Sequence, residues 1–552
     1  MTLKQFVKAY KKHGSLKAVA RQEGMTWYSV RKLYLQAVSE ALMDPLPVGR
    51  KTKNESKNPE PTMEGRVQSI ETQEFTVPKK GVKRYLFSSA QNNTPLHSGL
   101  WENLLALAAH YNARVQVARF TYVKSGLGAS GDKASFHQGV KMPTLYEGDT
   151  LVWDERLAGY VNDDRCEIAP GLIWCGEQNI LPTAVRPLSG YETYTGRASG
   201  IFPHVKFAME SVVSAKHEPT KFNFTTGTLT QRNYIQRKAG LKAEFHHCYG
   251  ALLVEVDSNG DWWCRQINAD SEGTIYDLDV KVEHGKVTTG NRVEAITWGD
   301  IHVTGLSEEV YDLSSDMMDF LNPKYSFYHD ILDFRSRNHH ERKDPFRRLE
   351  RFVKQQDDVG YEVCSTMVYM ANRCVNWPNT QHIVVDSNHD RALERWLRES
   401  DWREDPANMQ FFMESALAKI KAINNQEQFH MMQHWWDEMV EDAPDNITFL
   451  DEDESFVLCH DRQGGIEAGM HGHLGPNGRR GSPAAFAKMG RKANTGHTHQ
   501  AGIFEGVYTA GCSCELDQGY NVGPSSWSWS HIITYENGKR AIVTMWNGKW
   551  KA

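Results

Sequence analysis

Cysteine is sparse, and what there is has no framework spacing. Nine thiols are scattered through 552 residues, an odd number with a single close pair, Cys512-x-Cys514. This pattern excludes the disulfide scaffold of a small secreted fold and the four-thiolate zinc site, and it favours a reducing cytoplasm. The close pair reads as two buried thiols in a strand and receives no role. Long apolar runs are missing as well. No stretch of about 18 uncharged apolar residues occurs, and the opening MTLKQFVKAYKKHG lacks the apolar core of a secretory signal, so neither a membrane span nor that export route is expected. Nor is there a global positive excess: the net charge of −6 argues against a wholly basic nucleic-acid coat, although it can hide a local patch.

What is present reads as an ordinary folded protein. Apolar residues at 40% and charged residues at 24% provide for a real core, and the length calls for more than one unit. Residues 1–44 carry three short helical patterns, with a turn at Gly24-Met25 between the second and third, as in a helix-turn-helix. Over residues 1–43, eight basic residues face two acidic ones, a local charge of +6. Arg31 and Lys32 near the start of the third helix are the candidate DNA contacts. The alternative is a helical docking or assembly module with a solvated basic face. Residues 45–80, rich in Lys, Asn, Glu, Pro, Thr and Ser, read as a flexible linker.

Residues 81–248 read as an α/β accessory domain. The strand KRYLFSSA, the amphipathic helix HSGLWENLLALAAHYN and the strand ARVQVARFTYV make a βαβ unit. No phosphate-cradling glycine motif follows in this region. The polar stretch TTGTLTQRNYIQRK at 225–238 reads as a structural loop more readily than as a substrate contact. The job of this domain is not legible.

Residues 249–552 carry the chemistry. The strand RVEAITW ends in Gly299 and is followed at once by Asp300-x-His302, so that both side chains can enter one crevice at a strand's carboxyl edge. Asp330-x-x-Asp333 follows, then strand QHIVVD with the turn Asn388-His389-Asp390. The loops His471-Gly472-His473 and Gly496-His497-Thr498-His499 close the series. Each piece alone has an ordinary reading as a surface or core polar group; the ordered set does not.

That ordered set resembles the calcineurin-like binuclear metallophosphoesterase superfamily over roughly residues 290–510. The resemblance implies a four-layer α/β/β/α sandwich, here preceded by the α/β domain and the three-helix module. Carried over, one metal is held by Asp300, His302, Asp330 and His499, and a second by Asp330, Asn388, His471 and His497, with Asp330 as the bridge. Carboxylate, imidazole and amide ligands suit Mn best, with Fe or Zn as alternatives, whereas Mg favours oxygen throughout. Two cations about 3.5–4 Å apart can lower the pKa of a shared water and clamp phosphate oxygens. His389 takes the position that protonates the leaving group, and Asp390 is expected to orient its imidazole. Two residues depart from the family pattern, His329 and Ser387 standing where glycines are usual, which leaves Asp333, His339, His340, Asp386 and His473 as substitute ligands. His471 is preferred to His473 because it is the one leaving the strand.

Between the last ligand histidines, HGHLGPNGRRGSPAAFAKMGRK places Arg479, Arg480, Arg491 and Lys492, of which Arg479 and Arg480 are the leading candidates for substrate phosphate. A tethered basic helix-turn-helix candidate, together with arginines beside the site, favours DNA as partner and substrate. The whole chain resembles phosphoesterases of tailed phages, among which are proteins that degrade host DNA, acting in the host cytoplasm. Two alternatives stand beside the DNase: a phosphoesterase for small nucleotides or phosphoproteins, with the first module used for assembly, and a non-catalytic DNA-binding protein. A homo-oligomer stays open.

Overall fold

The computed structural model describes residues 1–13, 16–25, 27–39, 42, 75–122, 136–137, 140–141, 151–338, 344–462 and 464–552. The chain forms two compact units, Met1–Thr62 and Met63–Ala552. The first holds the three expected helices, Leu3–His13, Leu16–Gln22 and Trp27–Ser39. Phe6, Ala9, Val19, Val30 and Ala37 close around one another as its core, a small apolar set at helical spacing. Lys32 is exposed on the third helix, while the side chain of Arg31 lies outside the described residues. So does most of the expected linker, up to residue 74. Its last residues are not linker: Phe75 packs its ring 5.0 Å from Tyr85, because an aromatic beside a buried strand gains more from contact than from solvent.

The second unit is mixed α/β, built on several sheets. In a four-stranded sheet the order is Trp262–Asn268, Gly250–Val256, Lys83–Gln91, Ala113–Phe120. The last two run parallel and are joined by helix Ser98–Tyr111, the βαβ unit read from the sequence. That helix begins where His97 Nδ1 accepts from the Leu100 amide and ends at Asn112 in the left-handed conformation, the usual chemistry of a helix start and stop.

The expected boundary at 248/249 is not a structural one. Lys83–Gln91 pairs antiparallel with Gly250–Val256 across it. A ten-stranded sheet likewise mixes five strands between residues 165 and 225 with five between 457 and 509. The short strands of this region read as a separate domain because their partners are hundreds of residues away. The polar stretch 225–238 proves structural: Thr226, Thr228, Thr230 and Asn233 are buried, and Thr228 Oγ1 donates to the Ser89 carbonyl at 2.8 Å.

A six-stranded sheet runs Ile447–Phe449, Gln381–Val385, Tyr325–His329, Ala295–Thr297, Ser530–Thr534, Arg540–Thr544. The first four strands are mutually parallel. Helices Glu308–Leu321, Val359–Asn376 and Met431–Met439 cover one of its faces through Met317, Met367, Met370 and Trp436. Its other face meets the ten-stranded sheet through Phe327, Ile383, Val385, Leu458 and Ile466.

Because the four-stranded and ten-stranded sheets are completed by strands from before residue 249, a fragment 249–552 should fail to give a cooperative melt, whereas a chain starting at Met63 should unfold cooperatively. Circular dichroism melts of the two fragments check this.

Candidate metal centre

The four parallel strands of the six-stranded sheet point their carboxyl ends the same way, and three of them deliver a motif. Asp300 and His302 follow Ala295–Thr297, Asp330 follows Tyr325–His329, and Asn388 follows Gln381–Val385. From the ten-stranded sheet, His471 lies beyond Ile466–Glu467, and His497 and His499 beyond Lys492–Thr495. This is the edge at which open α/β sheets hold ligands, because the strand-to-helix turns leave the crevice free.

Two sheets thus bring Asp300, His302, Asp330 and His499 together, with one ligand atom from each lying within 4.8 Å of the others. All four are buried. His302 Nε2 and His499 Nε2 are 3.2 Å apart, His499 Nε2 is 3.0 Å from Asp300 Oδ2, and His302 Nε2 is 3.8 Å from Asp330 Oδ2. Beside them, His471 Nε2 lies 3.3 Å from Asp330 Oδ2 and 3.0 Å from Asn388 Oδ1. The His497 ring is 5.2 Å from that of His471. All seven expected ligands therefore meet at one edge. The first four form a group that can hold a metal ion, and Asp330 touches both subsets.

The donor set fits a cation on an observation independent of motif. Asp300 Oδ2 is fully buried and, among the described residues, has no aligned hydrogen-bond donor, the nearest group being His499 Nε2 at 3.0 Å. A buried carboxylate oxygen without a donor costs several kcal/mol unless a cation faces it (~1–3 kcal/mol for the lost bond, more for a charge). The backbone agrees. His302, Asp330, His497 and His499 have φ of 49°, 47°, 73° and 56°, the left-handed region that costs a non-glycine residue about 1–3 kcal/mol. Four ligands holding that conformation mark a place where geometry is kept at the expense of stability. Gly496 lets them close: its Cβ would collide with Asp300 Oδ1, and its neighbour His497 donates its amide to the same oxygen at 3.0 Å.

Charge explains the protonation. Burial lowers His302, but the Asp333 carboxylate, 3.4 Å from its Nδ1, raises it to about 10. Burial lowers His471 as well, and Asp330 and Asp300 lift it to about 9. Asp330 falls well below the carboxylate range, since the His471 and His389 imidazoles outweigh its burial.

Several expectations change. Asp390 does not orient His389. It accepts from the Leu332 amide at 2.9 Å and from Ser387 Oγ at 2.7 Å, so it holds the turn. The imidazole of His389 is instead fixed by Nδ1–H donating to the Asp333 carbonyl at 2.8 Å, while its amide donates to Asp330 Oδ1 at 3.2 Å. Ser387, out of pattern by sequence, is the partner Asp390 needs. His329 is buried behind His471, their Nδ1 atoms 3.4 Å apart. Asp333 backs His302 and is paired with Arg335 at 2.9 Å, and with His302 and His389 it forms a further group that can hold a metal ion. Asp386 faces Arg391 at 3.3 Å, away from the cluster. His473 stands beside His471, its ring 5.3 Å off, and His339 and His340 lie outside the described residues.

Arg479 and Arg480 are exposed and make no ion pair among the described residues. Arg491 and Lys492 belong elsewhere, in a cavity whose lining includes none of the ligands. Sequence reasoning missed Trp527, whose ring lies 4.1 Å from His499, and the nearness of Cys512 and Cys514, which with His499 form a further buried group that can hold a metal ion. Only the Cys-x-Cys spacing could have flagged them.

No family model matches the chain. It is 38% identical over 486 residues to Protein A1 of Escherichia phage T5, a match spanning 85% of this chain and 83% of that protein.

Replacing Gly496 with alanine should weaken Mn binding about 10- to 100-fold, the usual effect of disturbing a ligand's support. Calorimetric titration of the metal-stripped protein measures it; unchanged affinity would remove Asp300 from the ligand set.

Proposed function

The chain belongs to the same family as Protein A1 of Escherichia phage T5, and for it we propose a phage-encoded, metal-dependent phosphodiester hydrolase that cuts DNA. The convergence of Asp300, His302, Asp330 and His499 carries this reading, with Asn388, His471 and His497 adjoining. The motif order supports membership of the calcineurin-like metallophosphoesterases. Helices on one face of a six-stranded sheet that packs on a ten-stranded one support that reading.

Two divalent cations, Mn best suited to this mixed set of nitrogen and oxygen donors with Fe or Zn next, would supply Lewis-acid stabilisation of the phosphate and an activated water. The chain's own part is positional and protic. Asp330, reaching both subsets, sets their separation. Asp333 backs His302, and Gly496 allows Asp300 and His499 to close. His389 carries its Nδ1 proton toward the Asp333 carbonyl, so Nε2 is the nitrogen that exchanges a proton. Its ring lies 4.6 Å from that of His302 and its side chain is mostly buried; Nε2 is the atom through which it would pass a proton to the departing alkoxide, and burial, which lowers its hold on that proton, makes it a readier donor. Asp390 and Ser387 are positioning residues for that turn.

DNA as substrate rests on the +6 charge of residues 1–43 and on the exposed Arg479 and Arg480 of the loop between His471 and His497. The basic helices would raise the local concentration of duplex, and guanidinium groups would contact phosphates beside the cut.

Purified protein with Mn should cleave supercoiled or linear DNA, and Asp330→Asn should not; the form cut separates endonuclease from exonuclease action. If wild type hydrolyses a simple phosphodiester but leaves DNA intact, the small-nucleotide enzyme replaces the DNase. Cleavage should also fall steeply with salt, as counterion release requires. His389→Ala should lower kcat by about 10²- to 10⁴-fold with bound metal unchanged, measured by turnover and metal analysis on the same sample. Equal loss of both would move His389 from proton transfer to ligand support.

A further inference from the structure

At the opposite end of strand Lys492–Thr495 from His497 lies a separate cavity of about 1010 Å³. Helix Lys238–Phe245, the end of strand Trp262–Asn268, the start of strand Arg540–Thr544 and the strands Gly502–Phe504 and Val507–Thr509 all contribute to it. Its lining is unusual in charge. Arg540 is buried, 3% exposed, yet its guanidinium donates only to neutral acceptors: the Ala493 and Gly506 carbonyls at 2.7 Å and Asn494 Oδ1 at 2.8 Å. Lys539 makes no ion pair or side-chain hydrogen bond among the described residues, and Lys492 lines the same wall.

The three cations work against one another. Burial, with Lys539 and Arg540 nearby, pulls Lys492 down to about 8; burial likewise lowers Lys539 and brings Arg540 to about 10. The acids that line the cavity are otherwise engaged. Glu505 faces Lys242 and Lys206, Asp270 accepts the Glu272 and Thr274 amides, and Glu244 accepts from Gln236. Buried charge of one sign is retained at a cost in stability unless an opposite charge meets it. Beside these cations stand Tyr249 and, at the rim, Phe245, 76% exposed. Asn268 adds a buried Oδ1 that accepts no hydrogen bond.

We propose that this cavity binds a nucleoside phosphate, its phosphate on Lys492, Lys539 and Arg540 and its base against Phe245. Guanidinium and ammonium donors match phosphate oxygens, aromatic faces stack on any base, and Asn268 Oδ1 can accept from a base amine or a sugar hydroxyl. The volume suits a ligand of this size. Lys492 and His497 are five residues apart in one extended segment, so their Cα atoms are at most about 18 Å apart. None of the seven expected ligands lines the cavity, so the site is distinct from the metal centre, and the inference stands whether or not that centre cuts DNA. A free mononucleotide and the phosphorylated end of a strand present the same chemistry.

Calorimetric titration of the full chain in EDTA, using dAMP, inorganic phosphate and a short 5′-phosphorylated oligonucleotide, tests it. Lys492→Gln with Lys539→Gln should weaken binding about tenfold or more. The double variant should melt no lower than wild type, because it removes like-charge crowding, so lost binding cannot be put down to unfolding. Phe245→Ala, at an exposed rim position, should weaken dAMP but not phosphate. Binding of dAMP that the double variant loses identifies a free nucleotide; binding of the oligonucleotide alone, lost in the same way, identifies a strand end. The proposal falls if wild type binds neither, if the double variant binds as tightly as wild type, or if inorganic phosphate matches dAMP.

Discussion

Two buried carboxylates, Asp300 and Asp330, stand within about 4 Å of three imidazoles, and this concentration of charge and lone pairs governs the architecture around it. Such a set cannot be carried by one strand or one sheet, since neighbouring side chains on a strand point to opposite faces. The fold answers by facing two sheets so that the carboxyl ends of their strands meet at one edge. Left-handed backbone at four ligands and a glycine pressed against Asp300 are what that closeness requires.

Around the centre, residues that look anomalous by motif become its supports. Ser387 clasps Asp390 and so fixes the turn that presents Asn388 and His389. Asp333 serves two histidines at once, its carboxylate beside His302 and its carbonyl accepting from His389. His329 fills the space behind His471 where a glycine would leave a void. A substitution at a motif position here is compensated by a nearby partner, so departure from pattern is not loss of site.

The second unit also shows how far apart in sequence a single structural body can be assembled. Strand Gly250–Val256 lies between Lys83–Gln91 and Trp262–Asn268, and the sheet that supplies His471, His497 and His499 is completed by strands from residues 165–225. The stretch whose purpose was illegible is half the wall on which those ligands stand. It also helps to form the cationic cavity, which lies at the amino end of the strand whose carboxyl end leads to His497 and His499.

Local information was enough for the three N-terminal helices, the βαβ unit and the placement of Asp300, His302, Asp330, Asn388, His471, His497 and His499 at strand ends, because periodicity and turn chemistry act over a few residues. It was not enough for three other matters: which strands share a sheet, where the accessory region ends, and which side chain orients His389. Pairing depends on surfaces brought together from several hundred residues away. Likewise, the partner of an imidazole is chosen by whichever acceptor the folded turn leaves nearest: Asp390, adjacent in sequence, was drawn off by Ser387 and Leu332, and the Asp333 carbonyl took its place. Sequence determined the chemistry available at the site; tertiary structure decided its geometry, since distances between chain-distant groups are set only by packing.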